Sequence, residues 1–174
     1  MTRLRLLSLI VLVAAGCTNS DPTKGWTIAS QYRPGIRTVA VPIWTRGAKE
    51  FRRDIEIRLT EAVCKTIEAE TPYKIVQDRG RADTLLTGTL RQVRQHVLSF
   101  EPRTGTAREI QMTMVVDFTW SDLRTGEVLA EAKAMKVSAE YIPLAPFSED
   151  FFQGSEDALN RVALRVVEQM HNPW

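Results

Sequence analysis

The sequence predicts an α+β fold: a two-layer sandwich with a mixed, mostly antiparallel sheet of four to five strands and two helices packed on one face. Three observations lead there. Ile110, Met112, Met114, Val116, Phe118 and Trp120 alternate with Gln111, Thr113, Val115, Asp117, Thr119 and Ser121. Strand side chains point alternately to opposite faces, so this stretch is a strand with one apolar and one mostly polar side. Two further segments carry apolar residues at three- and four-residue steps, the signature of an amphipathic helix. Finally, the order of segments is strand, helix, short strand, long antiparallel meander, helix, which places both helices over one face of the sheet.

Taken in order, the chain opens with Arg3 and Arg5, followed by an apolar run, Leu6 to Ala15, broken only by Ser8. The run is too short to span a bilayer, which takes about 20 apolar residues, and suits a secretory signal covering residues 1–16. Val13-Ala14-Ala15-Gly16-Cys17 is similar to a bacterial lipobox, in which the cysteine is lipidated and becomes the new N-terminus. One departure is Ala14, where Leu is usual. The plain alternative is ordinary cleavage near Ala15 with an incidental cysteine. Lipidation at Cys17 would attach the chain to a membrane, with each buried CH₂ contributing about 0.8 kcal/mol. Thr18 rather than Asp follows the cysteine, which points to the outer membrane. Residues 17–33 then read as the lipidated terminus and its tether, being polar, aperiodic and interrupted by Pro22 and Gly25.

Residues 34–174 form the single predicted domain. Tyr32-Arg33-Pro34-Gly35 is a turn, and Ile36 to Trp44 a strand in which Pro42, lacking an N–H, marks a sheet edge or the strand's exit. Ala48 to Glu70 is the first helix, with Phe51, Ile55, Leu59, Ala62, Val63 and Ile67 as its stripe. Cys64, mid-helix, reads as a small buried or half-buried hydrophobe. Thr71-Pro72 ends the helix, Tyr73 to Gln77 is a short strand, and Asp78 to Arg81 a turn. In Thr84 to Phe100 the apolar parity changes between Leu90 and Val93, which requires a bulge near Arg91 or Gln92. Gly88 marks a place where another element approaches closely. Asp122 to Gly126 is a hairpin turn, and Glu127 to Tyr141 the return strand, with a small-residue face of Val128, Ala130, Ala132 and Ala134. Ser148 is the expected N-cap of the second helix, with Glu149 and Asp150 in its first turn. Its stripe is Phe152, Leu159, Val162, Ala163, Val166 and Met170.

Composition excludes some functions. Of 174 residues, 25% are charged and 44% apolar, ordinary for a globular domain. The net charge of +2 is carried by Arg3 and Arg5, so a chain cut before Cys17 balances 21 basic against 21 acidic residues. Nucleic-acid binding therefore has no electrostatic basis. His96 and His171 stand alone, without a second ligand at metal spacing, so neither a metal nor another cofactor is expected. There is no nucleophile elbow and no glycine-rich phosphate loop. The acid pairs Glu149/Asp150 and Glu156/Asp157 fall near a helix start, where the macrodipole accounts for them without catalysis. An enzyme is not expected.

Pro34-Gly35-Ile36-Arg37-Thr38-Val39-Ala40-Val41-Pro42, the stretch from Ala82-Asp83 to Leu86-Thr87-Gly88-Thr89-Leu90, and Arg124-Thr125-Gly126-Glu127-Val128-Leu129 occur in an order and spacing that resemble the LPS-assembly lipoprotein LptE family. The similarity runs from about Gly25 to Met170, together with the lipobox. A departure is Trp44-Thr45-Arg46-Gly47, where the family commonly has a Phe-containing, Asn-rich segment. The resemblance implies a non-enzymatic, lipid-anchored protein on the periplasmic face of the outer membrane. Its implied partners are an outer-membrane β-barrel protein of LptD type, which it plugs and helps assemble, and lipopolysaccharide. A self-assembling secretion-channel lipoprotein is the alternative of another class, since such proteins share this kind of sheet-and-helix domain. Among polar side chains, Arg91, Arg94, Arg103 and Arg108 gather toward the distal end of the meander. They read either as a solvated ribbon tip or as contacts for phosphates.

Overall fold

The computed structural model describes residues 31–48, 50, 52–143 and 151–171, with the side chains of 151–153 left aside. Its elements are β1 (Thr38–Ala40), β2 (Thr45–Arg46), α1 (Ile55–Glu70), β3 (Lys74–Val76), a single 3₁₀ turn (Arg79–Arg81), β4 (Thr84–Phe100), β5 (Ala107–Asp122), β6 (Val128–Tyr141) and α2 (Phe151–Glu168). The sheet runs β3-β1-β4-β5-β6, with β2 also on β4. β1 is parallel to β3 and β4, β2 is parallel to β4, and β4, β5 and β6 form an antiparallel meander.

The alternation in β5 is realised residue by residue. Met112, Met114, Val116 and Trp120 are fully buried and Phe118 is 2% exposed, while their polar neighbours are half-buried. Burying such side chains contributes about 1.5–3 kcal/mol each. They share one core with Ile55, Leu59, Val63 and Ile67 of α1 and with Ala158, Leu159, Val162, Ala163 and Val166 of α2. Both helices thus cover the same face, as the two-layer reading requires.

The sheet has six strands rather than four to five, because the predicted strand Ile36–Trp44 pairs only over Thr38–Ala40 and a further short strand, Thr45–Arg46, follows it. Pro42 cannot extend a ladder, so pairing stops at Ala40 and resumes at Thr45, against Thr89. Between the two pieces Trp44 turns inward, 2% exposed, over Gly88. A Cβ on Gly88 would lie 2.3 Å from the indole, so the glycine is there for the close approach.

α1 begins at Ile55, not Ala48. The preceding loop is held to β4 instead: the Gly47 N–H donates to the Leu90 carbonyl (2.8 Å), and Glu50, 4% exposed, accepts from the Val93 N–H (2.8 Å) and the Arg52 N–H (3.0 Å). Asp54 then enters the helix with φ of 67°. Satisfying a buried carboxylate and an otherwise unpaired strand N–H outweighs seven residues of further helix. Phe51, placed on the helix stripe, lies outside the described residues. So do Cys17 and the rest of residues 1–30, the Ser148 cap with Glu149 and Asp150, and most of the Ile142–Phe147 segment.

The required bulge exists: Leu90 pairs with Val116 and Gln92 with Val115, leaving Arg91 as the extra residue. A second bulge lies across the sheet, where Lys133 and Ala134 of β6 stand against Asp117 alone. It corrects the predicted small-residue face. Ala130 and Ala132 pack against the core, but Ala134, at φ 53°, is exposed, and the buried parity moves to Val137 and Ala139. Tyr32 and Arg33, which precede the predicted domain start, pack on the folded unit Gln31–Trp174. Tyr32 sits edge-on to Tyr73 at 5.8 Å, and its hydroxyl donates to the Glu70 carbonyl.

Candidate functional site

With the helices on one face, no element among the described residues covers the polar face of the meander. Register sets Arg94 beside Thr113 and Thr113 beside Ser138, while Val115 stands between Gln92 and Lys136. The Thr113 and Ser138 hydroxyls lie 2.9 Å apart. Neighbouring strands are about 4.8 Å apart and residues rise about 3.3 Å, so the backbones of Arg94 and Lys136 are separated by about 12 Å. Both side chains are exposed, and neither has an ion-pair partner among the described residues. A cavity of about 690 Å³ opens here, bordered by Arg91, Arg94, His96, Thr113 and Lys136. Two long cations flanking a hydroxyl-lined strip can clamp an anion with charge-assisted hydrogen bonds.

Arg91 is committed differently. From the bulge of β4 its Nε donates to Asp117, whose other oxygen accepts from the Ala134 N–H at 2.7 Å. Burial works against ionisation of Asp117, but the Ala134 hydrogen bond and the charges of Arg91 and Lys133 outweigh it and hold the carboxyl below its ordinary range. One aspartate therefore ties the bulge at Arg91 to the bulge at Lys133 and Ala134. Arg91 closes the edge of the cavity without being free to follow a ligand.

The four arginines singled out in the sequence do not form one group. Arg91 and Arg94 border the cavity, whereas Arg103 is in the exposed turn beyond β4 and Arg108 near the start of β5. Arg108 lies five residues along the ribbon from the Arg94–Thr113 pair, about 17 Å. Lys136 was not legible as a member, because its face depends on the bulge at Ala134. The change of parity to Met135, Val137, Ala139 and Tyr141 is the signal that would have found it. The ribbon end is instead apolar in part: Leu98, Phe100 and Ile142 are 42%, 60% and 59% exposed, all within three residues of the row joining Val97, Ile110 and Tyr141.

Of the acids considered for catalysis, Glu156 and Asp157 are engaged on the helix surface, and Glu149 and Asp150 lie outside the described residues. Glu156 lies 3.8 Å from Arg58, and Asp157 accepts from Arg161 at 2.8 Å. His96 is exposed on the cavity rim, and His171 stands edge-on to Tyr32 at 5.3 Å. Among the described residues no group of three or more His, Cys, Asp or Glu side chains is placed to hold a metal ion. Cys64 is half-buried, and burial pushes its thiol up, with Glu68 and Glu61 adding to the effect. It is a poor nucleophile for that reason. No helix among the described residues is long and apolar enough to cross a membrane.

Comparison with known proteins places these features. No curated protein sequence matches the chain. Among solved structures, a dodecameric PelC variant from Paraburkholderia phytofirmans is similar with a TM-score of 0.54 at 13% identity, over 84% of this chain and 96% of that one. Rare lipoprotein B from Shewanella oneidensis is similar with a TM-score of 0.45 at 16% identity, over 77% and 93% of the two chains. Lipoprotein B from Nitrosomonas europaea has a TM-score of 0.48 at 15% identity, over 82% and 90%. At such identities the PelC likeness is one of fold. The family model for LptE, described as lipopolysaccharide-assembly, matches residues 36–173, from the residue after Gly35 through the whole sheet and both helices. The chain belongs to the LptE lipopolysaccharide-assembly family.

Proposed function

We propose that this protein is a lipid-anchored, non-enzymatic component of lipopolysaccharide assembly at the outer membrane, held there through Cys17 and seated in the lumen of an LptD-type β-barrel. Residues 1–16 are its signal peptide, 17–33 its lipidated terminus and tether, and 34–174 the working domain. The observation that carries the reading is the family match across residues 36–173. The polar sheet face agrees with it: Arg94 and Lys136, with Arg91 at the edge, offer a clamp for the phosphates of lipopolysaccharide. Arg103 and Arg108 lie at the ribbon end beside exposed Leu98 and Phe100, a mixed surface of the kind that meets a protein partner.

The test is extraction of the native protein from membranes in mild detergent. The expected product is a complex with one large β-barrel, and deletion is expected to deplete lipopolysaccharide from the cell surface. Recovery without a barrel, with surface lipopolysaccharide unchanged, contradicts the proposal. A second reading, a self-assembling ring, takes its support from the fold likeness to a protein that crystallised as a dodecamer. The mass of the extracted complex separates the two, since a ring contains this chain alone.

A further inference from the structure

At the opposite end of the meander from the ribbon tip, three turns converge: Pro34-Gly35, the 3₁₀ turn Arg79–Arg81, and the hairpin after β5. They enclose a cleft of about 780 Å³ bordered by Arg33, Arg79, Arg124, Asp83 and Asp122. Its carboxylates are already engaged. One oxygen of Asp83 accepts from the N–H groups of Arg37 and Thr38 and from the Thr38 hydroxyl, each at 2.9 Å. Asp122 accepts from the N–H groups of Arg124 (2.7 Å) and Thr125 (2.9 Å). These carboxylates serve as struts for the turns.

The guanidiniums are not spent in the same way. Arg33 is held in place: its Nη2 donates to the Leu129 carbonyl at 3.0 Å, and its charge lies 5.8 Å from the centre of the Trp120 ring. Its Nε is buried and has no hydrogen-bond partner among the described residues. A buried guanidinium N–H without an acceptor is costly unless something supplies one. Arg79 and Arg124, from the two facing turns, are exposed and have no ion-pair partner among the described residues. Three guanidiniums against two committed carboxylates leave the cleft cationic, with one fixed arginine at its wall and two exposed ones at its rim.

We infer that this cleft is a second anion site, separate from the Arg94–Lys136 face, and that it takes a phosphate monoester or diester with room for the group that bears it. Arg33 is the fixed donor, since its packing on Trp120 orders it beforehand, and Arg79 and Arg124 close on the anion from either side. The same chemistry is offered by a lipid headgroup and by a soluble phosphate ester.

The test follows the arginine Nε–Hε resonances of the full chain in uncharged maltoside micelles. Inorganic phosphate at millimolar concentration is expected to shift the Arg33 resonance, and sodium chloride at matched ionic strength is not. R79A/R124A, at exposed turn positions, is expected to raise the half-saturation concentration about five- to tenfold, the loss of roughly 1 kcal/mol or more, with the β5 amide spectrum unchanged. R94A/K136A is expected to leave it as it was, which keeps the result independent of the lipopolysaccharide clamp. Tighter response to phosphatidylglycerol in the micelle than to glycerol 3-phosphate assigns the site to a headgroup; the reverse order assigns it to a soluble ester. An Arg33 resonance that ignores phosphate, or an unchanged half-saturation in R79A/R124A, overturns the inference.

Discussion

At the residue scale, the contact between Trp44 and Gly88 sets the path of the chain between β1 and β2. Replacing Gly88 with alanine puts a methyl into the indole, and overpacking of this kind costs about 1–3 kcal/mol. W44A empties the same space and costs about 3–5 kcal/mol. The two changes share one cavity, so the double variant should be markedly more stable than the sum of the single losses implies. Urea denaturation of the four proteins checks this. Gly88 was readable in advance, because a glycine inside a strand signals close approach. Its partner was not, because Trp44 belonged to what looked like one uninterrupted strand. Ala134 works in the opposite direction. It holds φ of 53°, which a residue with a Cβ adopts at a cost, so A134G should stabilise the fold by about 0.5–1 kcal/mol in the same assay.

Acid sensitivity also belongs to single residues. Asp83 is lowered chiefly by the Arg37 N–H, and Asp122 by the Thr125 and Arg124 N–H groups. Asp117 is lowered against the opposing effect of burial by the Ala134 N–H and Arg91. A carboxyl whose folded pKa lies below its unfolded value of about 3.9 adds stability that is complete above that value and disappears as pH falls through the folded one. The urea midpoint should therefore hold between pH 7 and 5 and fall below pH 4. In D117N, which cannot ionise, the midpoint should start lower and fall less. An equal fall in both proteins would show that Asp117 is not a coupled group.

At the scale of elements, the helices do the covering and the strands do the presenting. The apolar stripe of α1 is visible in the sequence from Ile55 onward, and L59A should cost about 2–5 kcal/mol because Leu59 is fully buried. L164A, at a position 44% exposed on α2, should cost well under 1 kcal/mol. What periodicity could not give was the start of α1. Phe51 continues the stripe one turn upstream in sequence, but the tie from Glu50 to Val93 across 43 residues holds the preceding loop to β4 instead. The same limit applies to β6, where an alternation read from Val128 runs straight past the bulge that reverses it. Both misreadings fall where a long-range hydrogen bond to a carboxylate overrides local pattern. Both lie beside the candidate cavity, so the position of Lys136 could not be read from local sequence, whereas the bulge at Arg91 could.

At the scale of the whole molecule, one side of the sheet is closed by two helices and the other is a polar strip with cations along it. The sequence disclosed the covered side nearly in full, since burial imposes a period. It disclosed the other side poorly, since solvent imposes none. On the proposed function, this strip meets lipopolysaccharide while the helix side does not. A photo-crosslinking amino acid placed at Thr113 in intact cells tests it, with Arg161 on the exposed surface of α2 as the comparison. A lipopolysaccharide adduct is expected from position 113 and is lost in R94A/K136A, with none expected from position 161. Adducts of equal yield from both positions, or an adduct at 113 indifferent to R94A/K136A, would contradict it.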